Sequence, residues 1–307
     1  MSVIGIDTSN YTTSIAWFDG VGGENCSRLL PVKQGELGLR QSDAVFAHTK
    51  SLPELSGRLF SHVREGDITA IGVSTRPRAV EGSYMPCFMV GYSHAKLLSD
   101  VLCVPLVEVS HQQGHVAASL WSADRLDLMD QPHLAWHLSG GTTELLLVEP
   151  QEKNVICTKI GGTTDISAGQ LIDRTGQLLQ LPFPSGKHLD TLSQESSGKE
   201  VFKVKCANME FSLSGVQNKV QQFHSAHSDP AETAGYALRC VAKAVYLATE
   251  QALKAYPGLP VVFSGGVASN SMLRQVIAPL NPIFAQPQFS TDNAMGVAVL
   301  AHRIAEA

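Results

Sequence analysis

Two strand–turn–strand patterns, about half a chain apart, constrain the fold of this sequence more than any other feature. The first is VIGIDTSNYTTSIAWF at residues 3–18, and the second is LAWHLSGGTTELLLVEP at residues 134–150. In each, runs of apolar and β-branched residues flank a turn of small or polar residues, which is typical of paired strands. A third glycine-containing turn, at residues 259–276, follows a strand and opens into a helical pattern. This repetition indicates a duplicated architecture.

Helical patterns with apolar residues three to four positions apart separate these turns, so strands alternate with helices and we predict an α/β fold. A Pro- and Gly-containing segment, LPFPSGKH at residues 181–188, predicts a loop. The length of 307 residues suggests about two domains of roughly 150 residues. We assign residues 1–107 and 288–307 to the first domain and residues 108–287 to the second.

The composition excludes several classes of protein. Of the residues, 44% are hydrophobic and 17% are charged, which is enough apolar material for a large core. The net charge of −5 lacks the basic footprint of a protein that binds nucleic acid unaided. The six cysteines form no CxxC pair, and the chain has no signal-peptide pattern and no apolar run of 18 residues. We therefore expect a cytoplasmic protein without a membrane span.

Two histidines lie four residues apart in EVSHQQGHVAASLW, the segment at residues 108–121. On a helix, His111 and His115 project from the same face, and Ser110 is a candidate N-cap. Two imidazoles at this spacing can bind one divalent ion, although Gln112 stands where the zinc proteases have glutamate. The alternative is a pair of solvated or capping histidines, and the spacing alone does not decide between them.

Each of the other candidate segments also has a structural interpretation. LSGGTTE at residues 138–144 suits either a phosphate-binding turn or a hairpin that needs glycine for positive φ. SGGVASN at residues 264–270 resembles a strand-to-helix turn facing a nucleotide, but it lacks the GxGxxG spacing. Asp292 stands at a predicted helix start, where an N-cap carboxylate is common. Asp165 and Asp173 are compatible with capping or with a solvated helix face.

Taken in order, these segments resemble the motifs of the TsaD family. SHQQGH resembles the family's metal motif, and LSGGTTEL is similar to VSGGHTQL. FSLSGVQNKV resembles FSFSGLKTAV, SGGVASNSMLR resembles AGGVAANxxLR, and STDNAMGVA resembles CTDNAAMIA. GIDTS resembles the family's first phosphate turn, and residues 161–186 follow its long DDAAGEAFDK signature. The resemblance covers essentially the whole chain.

The resemblance implies a duplicated fold like that of actin, hexokinase and the heat-shock chaperones, with two domains around a nucleotide cleft. It also implies a metal-dependent transferase that moves a threonylcarbamoyl group from threonylcarbamoyl-adenylate to adenosine 37 of tRNA. The expected ligands are one divalent metal, iron or zinc, and an adenine nucleotide or acyl-adenylate. The expected partners are tRNA, with helper subunits to compensate for the acidic chain, and a TsaB-like protein or a second copy.

Site residues carried over from the family fall into three groups, and no residue is assigned as catalytic. The metal ligands are His111, His115 and Asp292. The residues that would cradle the phosphate or carbamoyl group are Leu138, Ser139, Gly140, Gly141 and Thr142. The residues that would hold adenosine and ribose are Asp173, Gly186, Asp190 and Asn270, next to the nucleotide-facing turn that contains Gly265 and Gly266.

Several positions depart from the family pattern. The family's cysteine, aspartate and glutamate after its first motif are replaced by Asn10, Tyr11 and Thr12. Ile166 replaces the second acid of the DD pair, Gln170 replaces a glutamate, and RPR at residues 76–78 replaces a GPG loop.

Because four carboxylates are lost while the metal motif and the turns remain, an alternative function stays open. It is a diverged paralogue that binds nucleotide and metal. Such a paralogue would be either a carbamoyl- or acyl-adenylate transferase with a non-tRNA acceptor or a non-catalytic regulator of the true transferase.

Overall fold

The computed structural model of the chain describes residues 1–9, 11–31, 39–61, 68–290 and 293–306. The residues divide into two compact units. The first unit contains Met1–Gln131, Glu149–Cys157 and Gln288–Ala307, and the second contains Pro132–Val148 and Thr158–Pro287.

The described strands follow one another in chain order with helices between them. They are β1 (Ser2–Ser9), β2 (Thr12–Phe18), β3 (Gly23–Leu29), β4 (Ile68–Arg76), β5 (Leu106–Ser110), β6 (His133–Leu138), β7 (Thr143–Gln151), β8 (Asn154–Thr163), β9 (Cys206–Ala207), β10 (Glu210–Phe211), β11 (Val261–Ser264) and β12 (Ile283–Phe284). The described helices are α1 (Gln41–Phe60), α2 (Phe88–Leu102), α3 (His111–Ser122), α4 (Ala168–Leu178), α5 (Gly186–Ser193), α6 (Ser214–His227), α7 (Pro230–Ala255), α8 (Ser271–Ile277) and α9 (Met295–Ala305).

The two sheets repeat one strand arrangement. The first has the order β3-β2-β1-β4-β5, and five neighbouring strands of the second have the order β8-β7-β6-β11-β12. In both, a central strand pairs antiparallel with the next strand of the chain and parallel with a later one, as β1 does with β2 and β4, and β6 with β7 and β11. The duplicated α/β architecture predicted from the repeated turns is therefore confirmed.

The first unit buries its central strand completely. All eight residues of β1 are buried, because helices of this unit cover the sheet. Helix α9 approaches so closely that a Cβ on Gly5 would meet the backbone of Ala294 and Ala298 at 2.6 Å. This contact explains why a glycine stands between the apolar residues Ile4 and Ile6 of the strand.

Helix α3 belongs to the first unit because it packs against α9. A Cβ on Gly296 would overlap the backbone carbonyl of Gly114, so the two helices cross at glycine. The sequence-based division at residues 107 and 108 had separated α3 from this unit. In the described structure, residues 108–131 lie with the first unit, and the close helix contact is the physical reason.

The core of the second unit surrounds Trp136. This side chain is completely buried, and its indole Nε1–H donates to Thr249 Oγ1 on α7 at 2.9 Å. Helix α7 contributes fourteen buried residues, most of them small, so it can lie close to the sheet. The loop prediction for residues 181–188 is wrong at its end, because α5 begins at Gly186. None of the described helices is both long enough and apolar enough to cross a bilayer.

Candidate functional site: a histidine pair and two glycine turns

The histidine pair stands at the start of α3. The Ser110 hydroxyl accepts from the backbone N–H of Gln113, and the Gln113 side chain accepts from the backbone N–H of Ser110, so a capping box fixes the helix start. The prediction that Ser110 caps the helix is confirmed. His111 is consequently the first helical residue, and His115 follows one turn later on the same face.

The ring nitrogens of the pair converge. His111 Nε2 and His115 Nε2 are 2.9 Å apart, with the two rings nearly perpendicular. A metal about 2.1 Å from each of two imidazole nitrogens, subtending about 90° to 110°, holds those nitrogens about 3.0 to 3.4 Å apart. The observed separation of 2.9 Å lies just below this range, so a slight opening of the two rings would let both nitrogens bind one ion. In the absence of metal, the same geometry suits one N–H···N hydrogen bond.

The third predicted ligand, Asp292, lies outside the described residues. Within the part of the chain that is described, His, Cys, Asp and Glu side chains form no group of three with the geometry of a metal site. Metal binding by His111, His115 and Asp292 thus stays a prediction, supported by the spacing of the two nitrogens.

A buried carboxylate that sequence reasoning missed contacts this pair. Asp7 is completely buried near the end of β1, and its Oδ2 is 3.0 Å from His111 Nδ1. Oδ2 also accepts from the Ser9 hydroxyl at 3.0 Å, and Oδ1 accepts from the Ser74 hydroxyl. The available signal was an acid inside the apolar run VIGID, where an ionised side chain needs specific partners.

A buried histidine that sequence reasoning also missed lies on α1. His48 is completely buried, and its Nδ1 is 2.8 Å from the hydroxyl of Thr13 on β2. Burial lowers the pKa of His48 to about 4, with the charge of Asp7 opposing the shift. His48 is therefore neutral at physiological pH.

The structure describes some of the positions near this site that depart from the family pattern. Asn10 lies outside the described residues, Tyr11 is 37% exposed and Thr12 is buried. The RPR segment begins at the end of β4, and the carbonyl of Pro77 accepts from the backbone N–H of Gln112 at 3.0 Å. That bond ties the segment to the first turn of α3, next to His111.

In the second unit, the turn after β6 leaves space at both of its glycines. Ser139 N–H donates to the carbonyl of Thr142 at 2.8 Å, and Thr142 N–H donates to the Ser139 hydroxyl at 3.1 Å. Neither Gly140 nor Gly141 has a positive φ, and a Cβ on either would meet nothing within 4 Å. Backbone conformation thus does not require glycine here, whereas a ligand approaching the main chain would.

The second glycine turn packs against the first. Gly265 has φ of 92°, and a Cβ there would collide with the backbone of Leu138. Gly266, the next residue, faces open space. The structure therefore brings together the predicted turn residues Leu138, Ser139, Gly140, Gly141 and Thr142 with Gly265 and Gly266.

The predicted adenosine and ribose residues form two smaller groups in this unit. The Asp190 carboxylate accepts from Asn270 Nδ2 at 2.9 Å and from the Ser271 hydroxyl at 2.7 Å. Asn270 also caps α8, since its side chain accepts from Leu273 N–H. Asp173 accepts from the backbone N–H of Ser185, the residue before Gly186, and burial raises the pKa of Asp173.

Asp165, in the segment before α4, has a capping role, as one of its two structural interpretations predicted. The Asp165 carboxylate accepts from the hydroxyls and backbone N–H groups at the start of α6, and the hydroxyls of Ser212 and Ser214 are 2.5 and 2.6 Å away. Burial acts to raise the pKa of Asp165, but these donors outweigh it and hold the pKa far below its usual range. Gln170, which replaces a family glutamate, completes a capping box with Ser167.

Comparison with solved structures supports the fold. Component A of (R)-2-hydroxyglutaryl-CoA dehydratase from Acidaminococcus fermentans superimposes with a TM-score of 0.59 over 100% of both chains at 14% identity. HypF of T. kodakarensis gives 0.63 over 99% of this chain and 47% of its own, at 13% identity. The ROK hexokinase of Thermus thermophilus gives 0.56 over 100% and 99%, at 14% identity. The chain therefore has the duplicated α/β fold of these proteins, a hexokinase among them, as predicted.

Sequence comparison identifies the family. The tRNA N6-adenosine threonylcarbamoyltransferase of Streptococcus suis strain 05ZYH33 is 31% identical over 231 residues, which are 72% of this chain and 65% of the relative. The protein of the same name from Sulfurihydrogenibium sp. strain YO3AOP1 is 32% identical over 99% of this chain and 90% of its own. The profile of TsaD, tRNA N6-adenosine threonylcarbamoyltransferase, matches residues 36–299. The chain belongs to the TsaD family.

Proposed function

We propose that this protein is a metal-dependent transferase that moves a threonylcarbamoyl group from threonylcarbamoyl-adenylate to N6 of adenosine 37 of tRNA. The observation that carries the proposal is the convergence of His111 Nε2 and His115 Nε2, 2.9 Å apart. Membership of the TsaD family supplies the reaction, because its curated members bear the name of this transferase.

In this proposal, His111, His115 and Asp292 hold one divalent ion, iron or zinc. When bound, such an ion supplies a Lewis acid that polarises the carbonyl of the transferred group. The neutral imidazole is the form in which histidine binds metals.

The glycine turns would hold the nucleotide part of the substrate. Gly140, Gly141 and Gly266 leave open space beside the main chain, so the substrate's phosphate or carbamoyl group can approach backbone N–H groups there. Asp173, Gly186, Asp190 and Asn270 would hold adenosine and ribose. Since Asp190 and Asn270 already contact each other, they would present a fixed pair to a ribose hydroxyl.

The transfer forms a bond between adenosine N6 and the carbonyl carbon and breaks the bond from that carbon to the phosphate oxygen of AMP. The attacking amine must also lose a proton. Tyr11 and Thr12 stand where the family has carboxylates, so the chain provides no acid at these positions. No residue is assigned as the base.

Because the chain is acidic overall, we expect it to need another protein in order to bind tRNA. With a net charge of −5, the chain would repel the phosphate backbone except at local basic groups. A helper subunit, either a TsaB-like protein or a second copy of the chain, would supply the remaining positive surface.

A second candidate function follows from the lost carboxylates. Tyr11 and Thr12 carry no carboxylate, and the carboxylate of Asp165 caps α6. These observations favour a paralogue whose acceptor is not tRNA, or a regulator of the true transferase. The converging histidines weigh against the regulator, which does not require them. The transferase with tRNA remains first because the relatives of this chain bear the name of a tRNA transferase.

A transfer assay separates the candidates. Labelled threonylcarbamoyl-adenylate is incubated with the metal-loaded chain, the helper proteins and unmodified tRNA, with tRNA carrying guanosine at position 37 as the acceptor control. We expect label in the adenosine-37 tRNA only, no transfer by His111→Ala, and unchanged transfer by His227→Ala, an exposed histidine on α6. Absence of transfer by the wild type, with tight adenine nucleotide binding retained, would favour the paralogue.

A further inference from the structure

Asp7 is a buried acid whose hydrogen-bond donors come from three parts of the first unit. Ser9 follows it on β1, Ser74 lies on the neighbouring strand β4, and His111 begins α3. The carboxylate is completely shielded from solvent, so its charge must be compensated by these donors and by any nearby cation. A serine hydroxyl donates to each oxygen, and the third donor is the imidazole.

The Asp7 contact determines which nitrogen of His111 carries the proton. An ionised carboxylate only accepts, so His111 Nδ1, 3.0 Å from Asp7 Oδ2, is the donor. In a neutral imidazole, the other nitrogen, Nε2, is then unprotonated, and its lone pair can accept a hydrogen bond or bind a metal. His115 Nε2, 2.9 Å away, is the donor to that lone pair when no metal is bound.

We propose that Asp7 is the positioning residue of the histidine pair. By accepting from Nδ1–H, it fixes the tautomer and ring orientation of His111, so that Nε2 faces the same point as His115 Nε2. Its buried negative charge also favours a cation on the far side of the imidazole. This inference rests on the metal-binding part of the proposed function.

This role differs from the one suggested by the sequence, in which GIDTS resembles a phosphate turn. A carboxylate that contacts a phosphate or its counterion needs an accessible oxygen. In the described structure, both oxygens of Asp7 are buried and hydrogen-bonded within the first unit. The acid therefore acts on the substrate through His111, rather than by contact.

Metal affinity tests the proposal without an activity assay. Zn²⁺ affinity is measured by competition with a chromophoric chelator, and Co²⁺ binding is followed by its visible absorption, for the wild type and Asp7→Asn. We expect Asp7→Asn to bind Zn²⁺ about 10- to 100-fold more weakly and to show an altered Co²⁺ spectrum. The control is Glu232→Gln, which removes a hydrogen-bonded carboxylate at the first turn of α7 and should leave both signals unchanged.

Nitrogen-15 NMR of the histidine rings supplies a readout that a purely structural role for Asp7 would not change, and it needs no variant to fold. In the metal-free wild type, we expect His111 to carry its proton on Nδ1 and His115 on Nε2. In folded Asp7→Asn, His111 should show a mixture of tautomers.

A wild-type His111 protonated on Nε2 would overturn the inference, as would unchanged Zn²⁺ affinity in folded Asp7→Asn. If the wild type binds neither Zn²⁺ nor Co²⁺, the metal-binding part of the proposed function fails instead, and the inference fails with it.

Discussion

The histidine pair of the first unit and the glycine turns of the second would recognise a substrate in opposite ways. At the pair, a few buried side chains direct specific atoms to one point, and Asp7 and Ser110 fix their orientation. At the turns, the main chain is left accessible, and Gly140, Gly141 and Gly266 face open space. Under the proposed function, ligand binding in the first region depends on the side-chain atoms that are present, whereas in the second it depends on the absence of a side chain.

This difference predicts that substitution by alanine destabilises the protein much more at Gly265 than at its neighbour Gly266. Gly265→Ala places a Cβ against the Leu138 backbone at a positive φ, so we expect a loss of about 3 kcal/mol in the free energy of unfolding. Gly266→Ala meets open space, and its loss should stay within about 0.5 kcal/mol. Urea unfolding of both variants measures the difference. Equal losses would contradict the described packing of the two turns.

In the first unit, the comparison is sharpened by measuring the free energy of unfolding as a function of pH, which reports on the buried His48. The unfolded chain protonates His48 near pH 6.5 and the folded protein only near pH 4, so acidification favours the unfolded state. We expect the free energy of unfolding to fall by about 2 kcal/mol between pH 7 and pH 5 because of this residue. His48→Gln should flatten that part of the profile, and His227→Ala, at an exposed histidine, should not. A wild-type profile independent of pH in this range would show that His48 is not buried in its neutral form.

The smallest expected effect on stability concerns the turn after β6. Gly141→Ala should change the free energy of unfolding by less than about 0.5 kcal/mol, because its Cβ meets no atom of the protein. If adenine nucleotide binds against this main chain, the added methyl group should weaken its affinity by about fivefold or more. Calorimetric titration with ATP checks this, with Gly57→Ala on α1, where a Cβ also meets open space, as the control. Unchanged affinity would place the nucleotide elsewhere.

Local patterns predicted a large part of the fold and one part of the site. The alternation within residues 3–18 and 134–150 predicted both hairpins, because strand pairing across a short turn is a local property. The i, i+4 spacing of His111 and His115 likewise predicted that they share a helix face. Their convergence to 2.9 Å agrees with that spacing.

Contacts between distant residues could not be predicted in this way. Asp7 and His111 are 104 positions apart, and Asp190 and Asn270 are 80 positions apart, so only the folded sheet and helix packing bring each pair together. The assignment of residues 108–131 to the first unit depends on the glycine contact between α3 and α9, which has no signature in hydrophobic periodicity. Resemblance to the family supplied the glycine turns as site residues, but it did not supply Asp7 as a partner of His111.

Metal analysis of the purified chain tests the central claim most directly. After loading with Fe²⁺ or Zn²⁺ and removal of the excess by gel filtration, elemental analysis should find about one divalent ion per chain in the wild type. The same analysis should find almost none in His111→Ala, with His227→Ala as the folded control that keeps its ion. A wild-type protein that retains neither metal, or a His111→Ala variant that retains as much as the wild type, would contradict the account.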